Sequence, residues 1–137
     1  RFEGQSAQDA VQAALADPEC MMVNRNQGSG TRILIDQLLR SARPEGYWSQ
    51  PRSHNAVAAA IKQERADWGV TIEPVARAAE LGFIPLTQEH YDFVLVCNRS
   101  EQPAVQAFLA TLRSPETHAA LHRAGFASAS KPGSTEG

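Results

Sequence analysis

The stretch Asn24-Arg25-Asn26-Gln27-Gly28-Ser29-Gly30-Thr31-Arg32 constrains the fold of this chain most. It joins a short apolar run, Cys20 to Val23, to an amphipathic run, Ile33 to Leu39. The order reads strand, glycine-rich turn, helix. A helix that starts from such a turn presents its first backbone N–H groups outward, without intrahelical partners. The helix dipole adds partial positive charge at the same end. Ser29, Thr31 and Arg32 stand there too, and the first acid after Val23 is Asp36. That chemistry suits an anion. The same residues also suit plain capping, with Ser29 or Thr31 as the cap and Gly28 and Gly30 making the turn. The stretch lacks the Lys-Ser/Thr ending of a nucleotide P-loop. It also lacks the three-glycine spacing of a dinucleotide fingerprint.

A chain of 137 residues is long enough for one domain with a real core. The net charge of −2 gives no field that would draw nucleic acid, and no basic stripe appears. No apolar stretch approaches the roughly 18 residues needed to span a membrane. Direct nucleic-acid binding and membrane insertion are therefore not expected. The chain opens at Arg1 without a methionine and shows no signal peptide, which leaves its compartment undecided. Cys20 and Cys97 both sit in apolar, strand-like runs and read as reduced core residues rather than disulfide partners. His118 and His122 are four apart on an expected helix and read as a solvated face, since a zinc site needs more ligands. No metal site and no resident cofactor are expected.

Helical spacing marks Ser6 to Ala16, with Val11 and Leu15 on one face and Asp17-Pro18 as the stop. Cys20 to Val23 reads as a strand and Thr31 to Ser41 as a helix. An alanine-rich helix follows over Ala56 to Ile61, capped by Ser53 or Asn55, again without an acid in its first turn. Ala66 to Ile72 reads as a strand, and Pro74 opens a short helix. Gly82 to Leu86 and Tyr91 to Cys97 read as further strands, the second rich in aromatic and branched residues. Helices over Gln102 to Arg113 and Glu116 to Ala124 close the pattern, and Ala127 to Gly137 reads as a disordered tail. Strands alternating with helices imply an α/β fold, a mainly parallel sheet flanked by helices.

In such sheets ligands bind where helices begin, at the carboxyl ends of strands. Three junctions of that kind occur: Asn26–Arg32, Arg52–Asn55 and Thr71–Pro74. They are expected to face one sheet edge and to assemble a site for a small anionic ligand. Ser29, Gly30 and Thr31 offer neutral donors, and Arg32 and Arg25 offer charge. His54 and Asn55 stand at the start of the second helix, where they either donate to the ligand or form a local cap. Glu73 either caps the Pro74 helix or accepts from a ligand N–H or O–H. Tyr47 lies in a loop near this edge, placed to close over a ligand. Asp67 reads as an acceptor for local backbone amides, and Trp68 as core. Ser29, His54 and Asp67 supply the residue types of a hydrolase triad, but the serine lacks the Gly-x-Ser-x-Gly elbow, so no catalytic residue is assigned.

These residues resemble a known group. Val23 to Arg32, Ser53-His54-Asn55-Ala56-Val57-Ala58, Ala66-Asp67-Trp68-Gly69-Val70, Gly82-Phe83-Ile84-Pro85-Leu86 and Glu89-His90-Tyr91-Asp92-Phe93 carry the likeness. They resemble the periplasmic-binding-protein-like domain found at the C-terminus of some molybdopterin-biosynthesis proteins, and after helix-turn-helix segments in certain regulators. The resemblance covers about Ala16 to Gly125. It implies a type II solute-binding fold, with two α/β lobes and a ligand cleft between them. Relatives include molybdate and tungstate binders of ABC transporters, which hold a tetrahedral oxyanion by hydroxyl and backbone N–H donors at helix starts.

Set against that pattern, residues 1–126 correspond to the C-terminal part of the domain. The second lobe falls at about 17–92, and the returning strand and closing helices at about 91–126. The longer N-terminal portion of the family, which supplies most of the first lobe, has no counterpart here. The apolar face of Gln102 to Ala124 then calls for a first lobe, an attached domain or a second copy in a homodimer. The implied role is an oxyanion-binding module in molybdenum uptake, cofactor biosynthesis or its regulation. The alternative is a sensory domain for an organic anion, joined to a DNA-binding or enzymatic domain. Fusion to such a domain implies the cytoplasm; export implies the periplasm.

Overall fold

The structure is a computed structural model that describes residues 4–89 and 91–128. The chain divides into two compact units, residues 1–87 and 88–137. Most of the tail expected at 127–137 lies outside the described residues.

The first unit is built around a parallel pair of short strands. Helix α1 (Ala7–Leu15) is capped by Ser6, whose hydroxyl oxygen accepts from the Asp9 amide at 3.1 Å. Strand β1 (Met22–Val23) then leads through the glycine turn into α2 (Gly30–Leu39). Helix α3 (His54–Lys62) precedes β2 (Trp68–Gly69), and α4 (Glu73–Ala78) follows it. The register pairs Met22 with Trp68 and Val23 with Gly69.

Alternation along β1 divides the core. Met22 points into a cluster with Val11, Ile35, Leu39 and Tyr47, beneath α1 and α2. Val23 points the other way, onto Val57, Ala60 and Ala66, beneath α3. A strand covered on both faces reads as a continuous apolar run, as Cys20 to Val23 does. The other edge of β1 is lined by the 45–51 segment, whose Glu45, Ser49 and Pro51 carbonyls accept from the amides of Met22, Asn24 and Asn26. Two glycines permit this close assembly. Gly46 has φ +83°, and a Cβ there would stand 1.9 Å from the Met22 carbonyl oxygen. A Cβ on Gly69 would fall 2.8 Å from Val23 and 2.9 Å from Val57, so only glycine lets α3 settle on the sheet.

The second unit contains a 3-10 turn (Cys97–Arg99), α5 (Pro103–Leu112) and α6 (Pro115–Arg123), with α5 packed on α6. Phe93 meets Phe108 edge to face at 5.3 Å. Phe93, Val94 and Val96 are more than half exposed.

The fold is α/β, with the helices close to their expected places, but the sheet is smaller than the sequence pattern implies. Gly82 to Leu86 and Tyr91 to Cys97, expected as strands, form none; Cys97 lies in the 3-10 turn instead. A strand exists only as a member of a ladder, and among the described residues neither segment has a neighbour to pair with. Cys97 is accordingly exposed rather than core, whereas Cys20 is buried as expected.

Candidate functional site

The glycine turn forms as the residues dictate. Gly28 takes φ +84°, a conformation open to glycine, and reverses the chain after Gln27. Ser29 then caps α2: its oxygen accepts from the Arg32 amide at 3.2 Å, and its hydroxyl donates to the Asn26 carbonyl at 3.0 Å. The first turn of α2 carries no acid, and Gly28 and Gly30 are exposed and border open space. Thr31 is buried within that turn.

Arg32 turns inward. It is 5% exposed, and its guanidinium donates to the Arg25 carbonyl at 3.0 Å, the Tyr47 hydroxyl at 2.6 Å and the Asp36 carboxylate at 3.0 Å. The Tyr47 hydroxyl in turn donates to Asp36 at 2.8 Å. Burial works against charge on Arg32, but its bonds to Asp36 and Tyr47 outweigh that and raise its pKa. Burial likewise pushes the Asp36 carboxyl up, and the bonds from Tyr47 and Arg32 overcome it, leaving it below the usual carboxylate range. Tyr47 is 3% exposed, with the Arg32 and Arg43 guanidinium groups 4.6 and 4.5 Å from its ring centroid. Its backbone carbonyl accepts from the fully buried Asn24 side chain at 3.0 Å. Arg32 and Tyr47 thus hold the turn from within.

Arg25 faces the other way along the same corner. It is 7% exposed, and its Nη1 lies 3.1 Å from Nδ1 and 3.2 Å from Nε2 of His54, the first residue of α3. Its Nε is buried with no hydrogen-bond partner, and no carboxylate pairs with it among the described residues. The Thr71 hydroxyl, just beyond β2, donates to the His54 carbonyl at 3.3 Å. Contacts therefore link the strand-to-helix junctions that follow β1, precede α3 and follow β2, all at the carboxyl edge of the sheet. Ser53 caps α3 by accepting from the Ala56 amide at 3.1 Å, and this first turn also carries no acid.

The remaining candidates scatter. Asn55 is exposed and lines a groove of about 310 Å³ between α3 and α4, with Ala58, Lys62 and Val75. Glu73 is the first residue of α4 and pairs with Arg77 at 2.9 Å; it is not the cap, which is Ile72. Asp67 accepts from the Met21 amide at 2.8 Å, a bond across 46 residues rather than the local one expected. It ties the amino ends of the two strands, away from the edge where Ser29 and His54 stand. Trp68 is partly buried against the α1/α2 core. His118 and His122 are exposed, and with Phe93, Leu121 and Phe126 they line a groove of about 500 Å³ within the second unit. Among the described residues no cluster of three or more His, Cys, Asp or Glu could hold a metal, and no helix is long and apolar enough to cross a membrane.

Sequence reading did not single out Asn24 or the partnership of Asp36 with Tyr47. The i, i+4 spacing of Arg32 and Asp36 is a signal for an ion pair on one helix face. Nothing local signals the contact from Tyr47, which arrives from a loop.

Comparison with known proteins fits this architecture. The model of the PBP superfamily domain matches residues 5–113. The uncharacterized protein YvgK of Bacillus subtilis (strain 168) is 35% identical over 86 residues, which are 59% of this chain and 28% of that protein. The chain thus matches little more than a quarter of that relative's length. No solved structure matches. The family match takes in the whole parallel strand pair, its helices and α5, and the chain belongs to the PBP superfamily.

Proposed function

We propose that this chain is a small-ligand-binding module whose site is the corner formed by the β1–α2 turn and the start of α3, and that its ligand is an oxyanion. The observation that carries this reading is Arg25, a guanidinium nine-tenths buried with no carboxylate to neutralise it among the described residues. A buried charge without a counter-charge costs several kcal/mol, on the order of the loss when one partner of a buried pair is removed. An arriving anion removes that cost. The acid-free first turns of α2 and α3 add N–H groups and dipole of the right sign.

Molybdate and tungstate are the leading ligands, on the resemblance to their binders; the role is in molybdenum uptake, cofactor biosynthesis or its regulation. Micromolar binding needs about 8 kcal/mol, and a charge-assisted hydrogen bond contributes about 1.5–3 kcal/mol. Several donors around one anion reach that after ordering costs. In this reading Arg25, His54, Ser29, Gly30 and Thr31 face the ligand, while Arg32 and Tyr47 shape the turn and Asn55 stands apart on the α3–α4 groove. The chain binds and does not catalyse. A second reading, a sensory domain within a longer protein, is favoured by the exposed Phe93, Val94 and Val96 of the second unit, which suit cover by a first lobe, an attached domain or a second copy.

The test is a thermal-shift titration with molybdate, tungstate, sulfate and phosphate, since a ligand that binds only the folded state raises the melting temperature. Selective stabilisation by molybdate or tungstate, lost on replacing Ser29 and Thr31 by alanine, supports the reading. No shift with any anion refutes it.

A further inference from the structure

Arg52 stands exposed beside the glycine turn, and its guanidinium has no hydrogen-bond or ion-pair partner among the described residues. Its backbone fixes its place. The Asn26 amide donates to the Pro51 carbonyl at 3.2 Å. That carbonyl belongs to the peptide unit that leads into Arg52, and Asn26 follows Arg25 directly. On its other side Arg52 is followed by Ser53, the cap of α3. The backbone of Arg52 therefore sits where the β1–α2 turn meets the start of α3, and the exposed Gly28 and Gly30 leave open space beside that turn.

The position is an unfavourable one for a cation. The dipole of α3 places partial positive charge at this end, where an acid is stabilising and a base is not. The first turn of α3 carries no acid to offset it. Arg25, one residue from the Asn26–Pro51 bond, brings a second guanidinium to the same corner. Arg65 gives the contrast. It too is exposed and without an ion pair among the described residues, but it lies beyond the far end of α3. A helix of nine residues sets the two ends about 13 Å apart.

We infer that Arg52 is the outer half of a two-arginine clamp: an oxyanion seated on Arg25 and the turn amides is closed over by the Arg52 guanidinium. This rests on the anion-site reading above and adds a residue to it. Arg25 is buried and fixes the seat; Arg52 swings from solvent onto the oxygens that the seat leaves exposed. Its planar fork offers two parallel N–H groups to a pair of oxygens. The anion removes the repulsion between the two guanidinium groups and the cost of a cation at the start of α3.

The experiment is isothermal titration calorimetry of the full chain with tungstate and with perrhenate, tetrahedral anions of similar size that carry two charges and one. The parent, Arg52→Gln, Arg52→Lys and Arg65→Gln are compared, each checked for folding by circular dichroism. Arg52→Gln is expected to bind tungstate about tenfold more weakly, the loss of one charge-assisted hydrogen bond. The loss for perrhenate is smaller, because the Coulomb attraction scales with the charge on the anion. Arg52→Lys recovers part of the affinity, since it keeps the charge without the fork. Arg65→Gln changes the net charge equally and binds as the parent does at physiological ionic strength, where exposed charges more than about 8 Å apart are largely screened. Parental affinity in Arg52→Gln, an equal loss in Arg65→Gln, or the same loss for both anions overturns the clamp and leaves the anion site standing. No binding of either anion by the parent overturns both.

Discussion

The Arg32 guanidinium donates to the Tyr47 hydroxyl at 2.6 Å, 15 residues further along the chain. That bond joins the first turn of α2 to the loop that lines the edge of β1. Because the same guanidinium also binds the Arg25 carbonyl, the shape of the turn and the setting of Arg25 depend on one buried network.

Tyr47→Phe removes one hydroxyl and leaves the Arg32 nitrogen without its acceptor. A buried donor left unsatisfied costs about 1–3 kcal/mol. Urea unfolding is expected to show a loss in that range with an unchanged slope. An unchanged midpoint would show that water replaces the phenol at no cost.

Asp36 gives the network a pH dependence of defined sign. Its carboxyl is held below the usual range in the folded state. Its contribution is therefore fully present above the unfolded value, about 3.9. It is lost as pH falls through the lower, folded value. Asp36→Asn is expected to be less stable than the parent at neutral pH and to lose less on acidification. Parallel acid-unfolding curves for the two proteins would remove Asp36 from the account.

Two glycines with nearly the same φ are expected to respond differently to alanine. Gly28 faces open space, so Gly28→Ala bears only the left-handed backbone cost, about 1–2 kcal/mol. Gly46→Ala adds a clash with the Met22 carbonyl, so its loss exceeds that of Gly28→Ala by more than about 2 kcal/mol. Comparable unfolding free energies for the two would contradict the close packing of the 45–51 segment on β1.

Much of the first unit was legible in the sequence because its determinants are local. The stop at Asp17-Pro18, the α3 cap, read as Ser53 or Asn55 and found at Ser53, and the proline opening α4 act within a turn of the residues they organise. The convergence of the three junctions was legible too, since strand–helix alternation implies it. Partnerships over distance were not: Asp67 with Met21 spans 46 residues, Arg25 with His54 29, and Tyr47 reaches Asp36 from a loop. Gly82 to Leu86 and Tyr91 to Cys97 show the opposite failure. Their branched and aromatic residues favour a pleated surface, but propensity supplies no neighbouring strand.

Arg25 is the central claim, and Arg25→Met tests it most directly. Melting temperatures of parent and variant are measured with and without molybdate, tungstate, sulfate and phosphate. The account predicts that the empty variant melts at the same temperature or higher, because an uncompensated buried cation is gone. It also predicts that an anion stabilises the parent and leaves the variant unmoved. A variant that still responds to the anion as the parent does would contradict it.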